Sequence, residues 1–115
     1  MDISSFESFV SKIEATGGED TCEDVQGGLK LALMQDWTVE ATKKVVFICD
    51  APGHGSDING GEWDDYPGGS LEGLQIKDLM LQFKERNIEF VVIKLKDYCN
   101  DMINVMKAHH PGVEV

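Results

Sequence analysis

Cysteine, proline and basic side chains are all scarce in this sequence, at three, three and ten of 115 residues, and each shortage closes off a class of protein. Cys22, Cys49 and Cys99 are odd in number and none forms a CxxC pair. Neither a disulfide framework nor a zinc knuckle is indicated, and a reducing compartment fits best. No apolar run approaches the roughly 20 residues that span a bilayer, and no charged segment precedes a short apolar one as in a secretory leader. The sequence therefore reads as soluble, unprocessed and cytoplasmic, with no membrane span. Ten bases against 21 acids leave a net charge of −11, so a phosphate backbone would be repelled and nucleic acid is not an expected partner.

What is present suffices for one core. Hydrophobic residues make up 42% of the chain, and its length suits a single domain, residues 1–115. The charge is unevenly spread. Residues 1–72 hold 15 acids and 4 bases, whereas residues 73–115 hold 6 of each. Such asymmetry marks either a solvated acidic face or a cluster of oxygen donors for a cation.

Periodicity gives the order α-α-β-loop-α-β-α-β. Asp2 to Thr16 has Phe6, Phe9, Val10 and Ile13 on one helical face, with Ser4 and Glu7 spaced as a capping box. A second helix starts among the acids of Thr21 to Asp24 and runs to about Gln35, with Val25, Leu29, Ala32 and Leu33 inward. Lys44 to Cys49 (KVVFIC) reads as a strand buried on both faces, and Ile88 to Leu95 (IEFVVIKL) as the second strong strand. Between them, Ala51 to Gly69 is a long loop with six of the twelve glycines. A helix follows from a Ser70 cap to Arg86, its buried stripe being Ile76, Leu79, Met80 and Phe83. The last helix spans about Tyr98 to His109, and Val113 to Val115 begins a third strand. The expected class is α/β with a mainly parallel sheet flanked by helices.

Ligands of open α/β sheets bind beyond the carboxyl ends of the strands. Asp50 stands there, directly after KVVFIC. The second acidic cluster, Glu19-Asp20-Thr21-Cys22-Glu23-Asp24, lies at a helix start. Its four acids exceed what capping requires and suggest ligands for a hard cation. His54, four residues past Asp50, suits orienting the loop or donating to an acid; His109 and His110 suit the negative end of a helix dipole. In the long loop, Asp57, Trp63, Asp64 and Tyr66 are candidates for contacting a partner, with aromatics as anchors.

These segments resemble the von Willebrand factor A (VWA) family. Asp20-Thr21-Cys22-Glu23 is similar to the Asp-x-Pro-Glu stretch of integrin β-subunit VWA-like domains, and the run from Val46 to His54 resembles their strand ending in Asp-Ala. GGEDTCEDVQGGL, CDAPGHG and DDYPGG resemble VWA domains attached to atypical α-kinases of protists more closely still. The resemblance implies a Rossmann-like VWA fold and a metal-ion-dependent adhesion site. Glu23 would be the second-loop ligand and Asp50 the third-loop ligand, with Asp20 auxiliary and Thr21 an alternative. Mg²⁺, Mn²⁺ or Ca²⁺ would be the cation. The family's first metal motif, Asp-x-Ser-x-Ser after an apolar strand, is not found; Asp2-Ile3-Ser4-Ser5-Phe6 has its second serine out of register. The chain is therefore expected to be the C-terminal portion of a VWA domain, to hold metal weakly, and to leave KVVFIC with an unpaired edge open to homodimer formation.

The function implied is a non-catalytic, metal-dependent protein-binding module in a larger α-kinase-linked chain, whose partner supplies an acidic residue. No kinase phosphate loop or catalytic loop is present. The competing expectation is a metal-assisted hydrolase using Asp50 and His54; the plainest is a fragment with no independent activity.

Overall fold

Two apolar runs, Lys43–Cys49 (β1) and Ile88–Lys94 (β2), lie side by side in parallel, paired from Lys43 with Ile88 to Cys49 with Lys94. The computed structural model describes residues 2–115. The third strand expected near Val113 is a single parallel bridge, Val91 with Glu114, on the far edge of β2. The Val92 amide donates to the Glu114 carbonyl at 2.8 Å and the Glu114 amide to that of Phe90 at 3.0 Å.

Helices α2 (Val25–Leu33), α3 (Ile76–Glu85) and α4 (Asn100–His109) contribute to one core with the sheet, and a 3₁₀ turn, Asp97–Cys99, precedes α4. Each helix presents apolar residues at helical spacing: Val25, Leu29 and Leu33; Ile76, Leu79, Met80 and Phe83; Met102, Ile103 and Met106. They meet Ile88, Phe90, Val92 and Cys49. Phe83 and Phe90 are fully buried with rings edge to face, 5.2 Å between centroids. Burying such a side chain contributes about 1.5–3 kcal/mol. The mix of helices and a small parallel sheet is the α/β class expected. Among the described residues, no helix is long and apolar enough to cross a membrane.

Four local expectations are corrected. The first helix, α1 (Ile3–Val10), is capped by Asp2, whose carboxylate accepts from the Ser5 amide at 2.7 Å; Ser4 is not the cap. It ends well before Thr16 and buries none of its residues. The α3 helix begins at Ile76, not at Ser70. Residues 70–75 turn about Gly73 in the left-handed region, φ +71°, and the Gly73 amide closes on the Ser70 carbonyl at 2.9 Å. His110 is buried, with Nε2 2.9 Å from the Ile88 carbonyl, and so does more than face a helix dipole.

Finally, β1 is not buried on both faces. Its residues alternate, and Val46 and Ile48 remain 54% and 61% exposed beside half-bare Ile93. An apolar run specifies side chains that tolerate burial, whereas burial itself requires a second layer of helices.

Candidate functional site

Parallel strands deliver their following loops to one end of the sheet, and here that end gathers three segments. After β1 the chain runs through Asp50, Ala51 and buried Pro52 to Gly53 and His54. The Glu23 amide donates to the Pro52 carbonyl at 2.9 Å, within a parallel bridge between Glu23 and Gly53. Gly53 packs closely on Gln26, whose side chain would have to shift to admit a Cβ there, 2.8 Å from its Oε1. Gln26 Nε2 in turn donates to the His54 carbonyl at 2.7 Å. The long loop completes the gathering: the Thr21 amide donates to the Trp63 carbonyl at 3.1 Å and the Asp65 amide to Asp20 Oδ2 at 2.9 Å. Just beyond, Asp24 caps α2 through the Gly27 amide at 2.9 Å, as its position in the acidic run implies.

At the meeting point stand Cys22, His54 and Asp64, whose ligating atoms all lie within 4.8 Å of one another. Asp64 is the most constrained. Its Oδ2 accepts from the Gly55 amide at 2.8 Å and from Asn59 Nδ2 at 3.3 Å, while Oδ1 accepts from the Tyr66 amide at 2.8 Å and faces His54 Nδ1 at 2.7 Å. Burial alone would raise its carboxyl, but the Gly55 amide, His54, the Tyr66 amide and Asn59 together hold it down at about 2. Asp20 Oδ2 lies 3.7 Å from the same histidine nitrogen. The Tyr66 ring stands edge-on to the imidazole, 5.0 Å between centroids.

Cysteine, histidine and aspartate are also the components of a thiol nucleophile with its base, and this arrangement is not one. Cys22 is 2% exposed. Burial, reinforced by Asp64, Asp20, Glu62 and Glu23, pushes its thiol up to about 12. A nucleophilic cysteine needs the opposite, an accessible thiol whose ionisation is made easier. What the surrounding acids do favour is a positive ion.

The residues singled out in the sequence fall into two groups. Glu23 and Asp50 are exposed on adjoining segments, Thr21 and Asp20 half-buried beside them. Their oxygens are the donor type that Mg²⁺, Mn²⁺ or Ca²⁺ takes. Among the described residues, no third carboxylate, imidazole or thiol joins Glu23 and Asp50 in a compact cluster. Two carboxylates with Thr21 and water are a weak donor set for Mg²⁺. In the long loop, Asp57 is exposed and Trp63 is 70% exposed, its indole N–H donating to Asp65 at 3.0 Å. Tyr66 is partly exposed. Asp64, expected on the rim, turns inward instead with a side chain only 2% exposed, because its four hydrogen bonds all lie within the loop. His54 does donate to an acid, as its place after Asp50 suggested. Cys22 and Gln26 were not marked by the sequence. Neither carries a spacing signal, and only the loop closure brings them to His54.

A relative is found in a curated protein. Over 85 residues, 74% of its length, the chain is 40% identical to a segment of alpha-protein kinase vwkA from Dictyostelium discoideum. It resembles part of an α-kinase protein. The chain spans only 13% of vwkA, so most of that protein lies outside the matched segment. No family model and no solved structure matches the chain.

Proposed function

We propose that the chain is a non-catalytic protein-binding module of the VWA type, carried within a larger α-kinase-linked protein. The observation that carries this reading is the Glu23–Gly53 bridge, which fastens the acidic helix start to the loop leaving β1 at the carboxyl end of a parallel sheet. The similarity to a segment of alpha-protein kinase vwkA supports the link to a kinase. In this reading Glu23 and Asp50, helped by Asp20 or Thr21, hold a hard cation, Mg²⁺ or in its place Mn²⁺ or Ca²⁺. The cation supplies an open coordination position for a carboxylate of the partner protein, and exposed Trp63, Tyr66 and Asp57 form the rim that the partner meets. Because the chain is so acidic, a bridging cation also relieves repulsion between two negative surfaces.

Paramagnetic broadening by Mn²⁺ tests this directly in amide spectra of the chain. Broadening centred on residues 19–24 and 50–54, weak in affinity and lost in Glu23→Ala and Asp50→Ala, is expected. Saturation at one equivalent, or broadening centred elsewhere, overturns the assignment.

The His54–Asp64 pair favours one second reading, a metal-assisted hydrolase with Asp50 binding metal and His54 acting as base. Phosphatase and esterase substrates assayed with Mn²⁺ decide it: turnover lost in Asp50→Ala would replace the binding reading.

A further inference from the structure

The cluster of Cys22, His54 and Asp64 does not belong to the hard-cation site just proposed, and its chemistry is different. We propose that these three side chains form a separate binding site for a zinc-class transition metal ion. Three arguments converge on it.

The first is geometry. In a tetrahedral zinc site, bonds of about 2.0–2.3 Å hold the ligand atoms roughly 3.3–3.8 Å apart. Thiol, imidazole and carboxylate donors already within 4.8 Å of one another need only side-chain adjustment to reach that spacing. The 2.7 Å contact between His54 Nδ1 and Asp64 Oδ1 is a hydrogen bond in which a proton holds the place between donors that an ion would share. Asp20 Oδ2, 3.7 Å from His54 Nδ1, stands beside the cluster, and it or water supplies the fourth ligand.

The second is donor type. Sulfur, nitrogen and one or two oxygens select zinc and its neighbours over Mg²⁺ or Ca²⁺, which take oxygen alone. The charge agrees: Asp20 and Glu23 lie within two residues of Cys22 in sequence, and the Asp64 carboxylate joins its thiol in the cluster. Metal binding would release the thiol proton and place a cation where the acids already favour one.

The third is support. Ligands in working metal sites are held by further hydrogen bonds. Asp64 is oriented by the Gly55 and Tyr66 amides and by Asn59, and the segment bearing Cys22 is tied on both sides, through Thr21 to Trp63 and through Glu23 to Pro52. His54 also lines a cleft of about 340 Å³ shared with Gln26, Asp57 and Gly69.

Cobalt substitution tests the proposal on the full chain after chelator treatment. Expected is one equivalent of Co²⁺ bound with a near-ultraviolet thiolate-to-cobalt charge-transfer band and the intense visible bands of four-coordinate cobalt. Cys22→Ser should abolish the charge-transfer band, and His54→Gln should weaken binding by at least about tenfold. Excess Mg²⁺ should displace nothing, which separates this site from the one formed by Glu23 and Asp50; displacement by Mg²⁺ would overturn the proposal while leaving the hard-cation reading standing. A charge-transfer band that survives Cys22→Ser, or cobalt bound without one, overturns it as well. Should Cys22→Ser fail to fold, the melting temperature of the unsubstituted chain decides. It should rise with Zn²⁺ and the rise should persist in excess Mg²⁺; no rise with Zn²⁺, or a rise that excess Mg²⁺ cancels, sinks the idea.

Discussion

His54 and Asp64 meet at 2.7 Å across ten residues of glycine-rich loop, and the same carboxylate returns to accept the backbone of that loop at Gly55 and Tyr66. A single buried side chain thus closes the segment that sequence composition marks as long and structureless. Removing it leaves two backbone amides, the Asn59 side chain and an imidazole without their acceptor. Asp64→Ala is expected to cost about 2–4 kcal/mol in urea denaturation of the metal-free chain. Asp57→Ala, exposed in the same loop, should stay within about 0.5 kcal/mol. Equal effects from the two would refute the role given to Asp64.

Two neighbouring glycines separate crowding from backbone strain. Both are left-handed, Gly60 at φ +64° and Gly61 at φ +80°. A Cβ on Gly60 would run into the Tyr98 carbonyl, whereas one on Gly61 meets nothing within 4 Å. Gly61→Ala should cost about 1–2 kcal/mol, the penalty of a left-handed alanine. Gly60→Ala should cost clearly more, since backbone must also move. Thermal melts of the pair check the ranking.

How far the sequence could be read follows from which features have a period. The two apolar strands KVVFIC and IEFVVIK, a capped start of α2 within Thr21 to Asp24 and the stripe Ile76, Leu79, Met80, Phe83 all follow from local patterns, and the structure carries each of them. The start of α3 was legible only as far as a serine preceding an apolar run, because Ser70 caps a turn as readily as a helix. The exposed face of β1 was not legible: Val46 and Ile48 look the same in sequence whether or not a helix lies over them. The meeting of Cys22, His54 and Asp64 was least accessible of all. His54 lies 32 residues after Cys22 and 10 before Asp64, and loops impose no periodicity from which such a contact can be inferred.

Thiol ionisation gives a pH prediction well away from the candidate metal site. Burial, with Cys99 alongside, pushes the Cys49 thiol up to about 12, and burial also raises Cys99. In the unfolded chain both thiols ionise near about 8.5–9. The folded state therefore retains protons that the unfolded state has lost. The stability these thiols contribute is complete below about pH 9 and declines as pH rises toward 12. Urea midpoints measured from pH 7 to pH 11 should fall across the upper part of that range, and fall less in Cys49→Ala. At pH 8, alkylation of Cys49 and Cys99 should follow global unfolding, as read by mass spectrometry in increasing urea.

Among the described residues only one edge of β1, Lys43–Cys49, is paired, and its uncovered face carries Val46 and Ile48. Unpaired apolar strands recruit further strands. Sedimentation velocity should show the chain moving to larger species as its concentration rises, and Ile48→Lys should hold it monomeric. A monomer at every concentration, with the amides of β1 fully protected from exchange, would remove this prediction.

The open sheet face and the bare apolar side of α1 also make the charge of the chain a matter of colloid behaviour. At neutral pH, eleven uncompensated negative charges oppose the association that so much exposed hydrocarbon favours, and so hold off precipitation. That protection is borrowed from the solvent conditions. It vanishes as acid approaches the isoelectric point near 4.5, and concentrated salt screens it. Precipitation in mild acid would then report the loss of long-range repulsion between intact molecules, and would precede any loss of their fold.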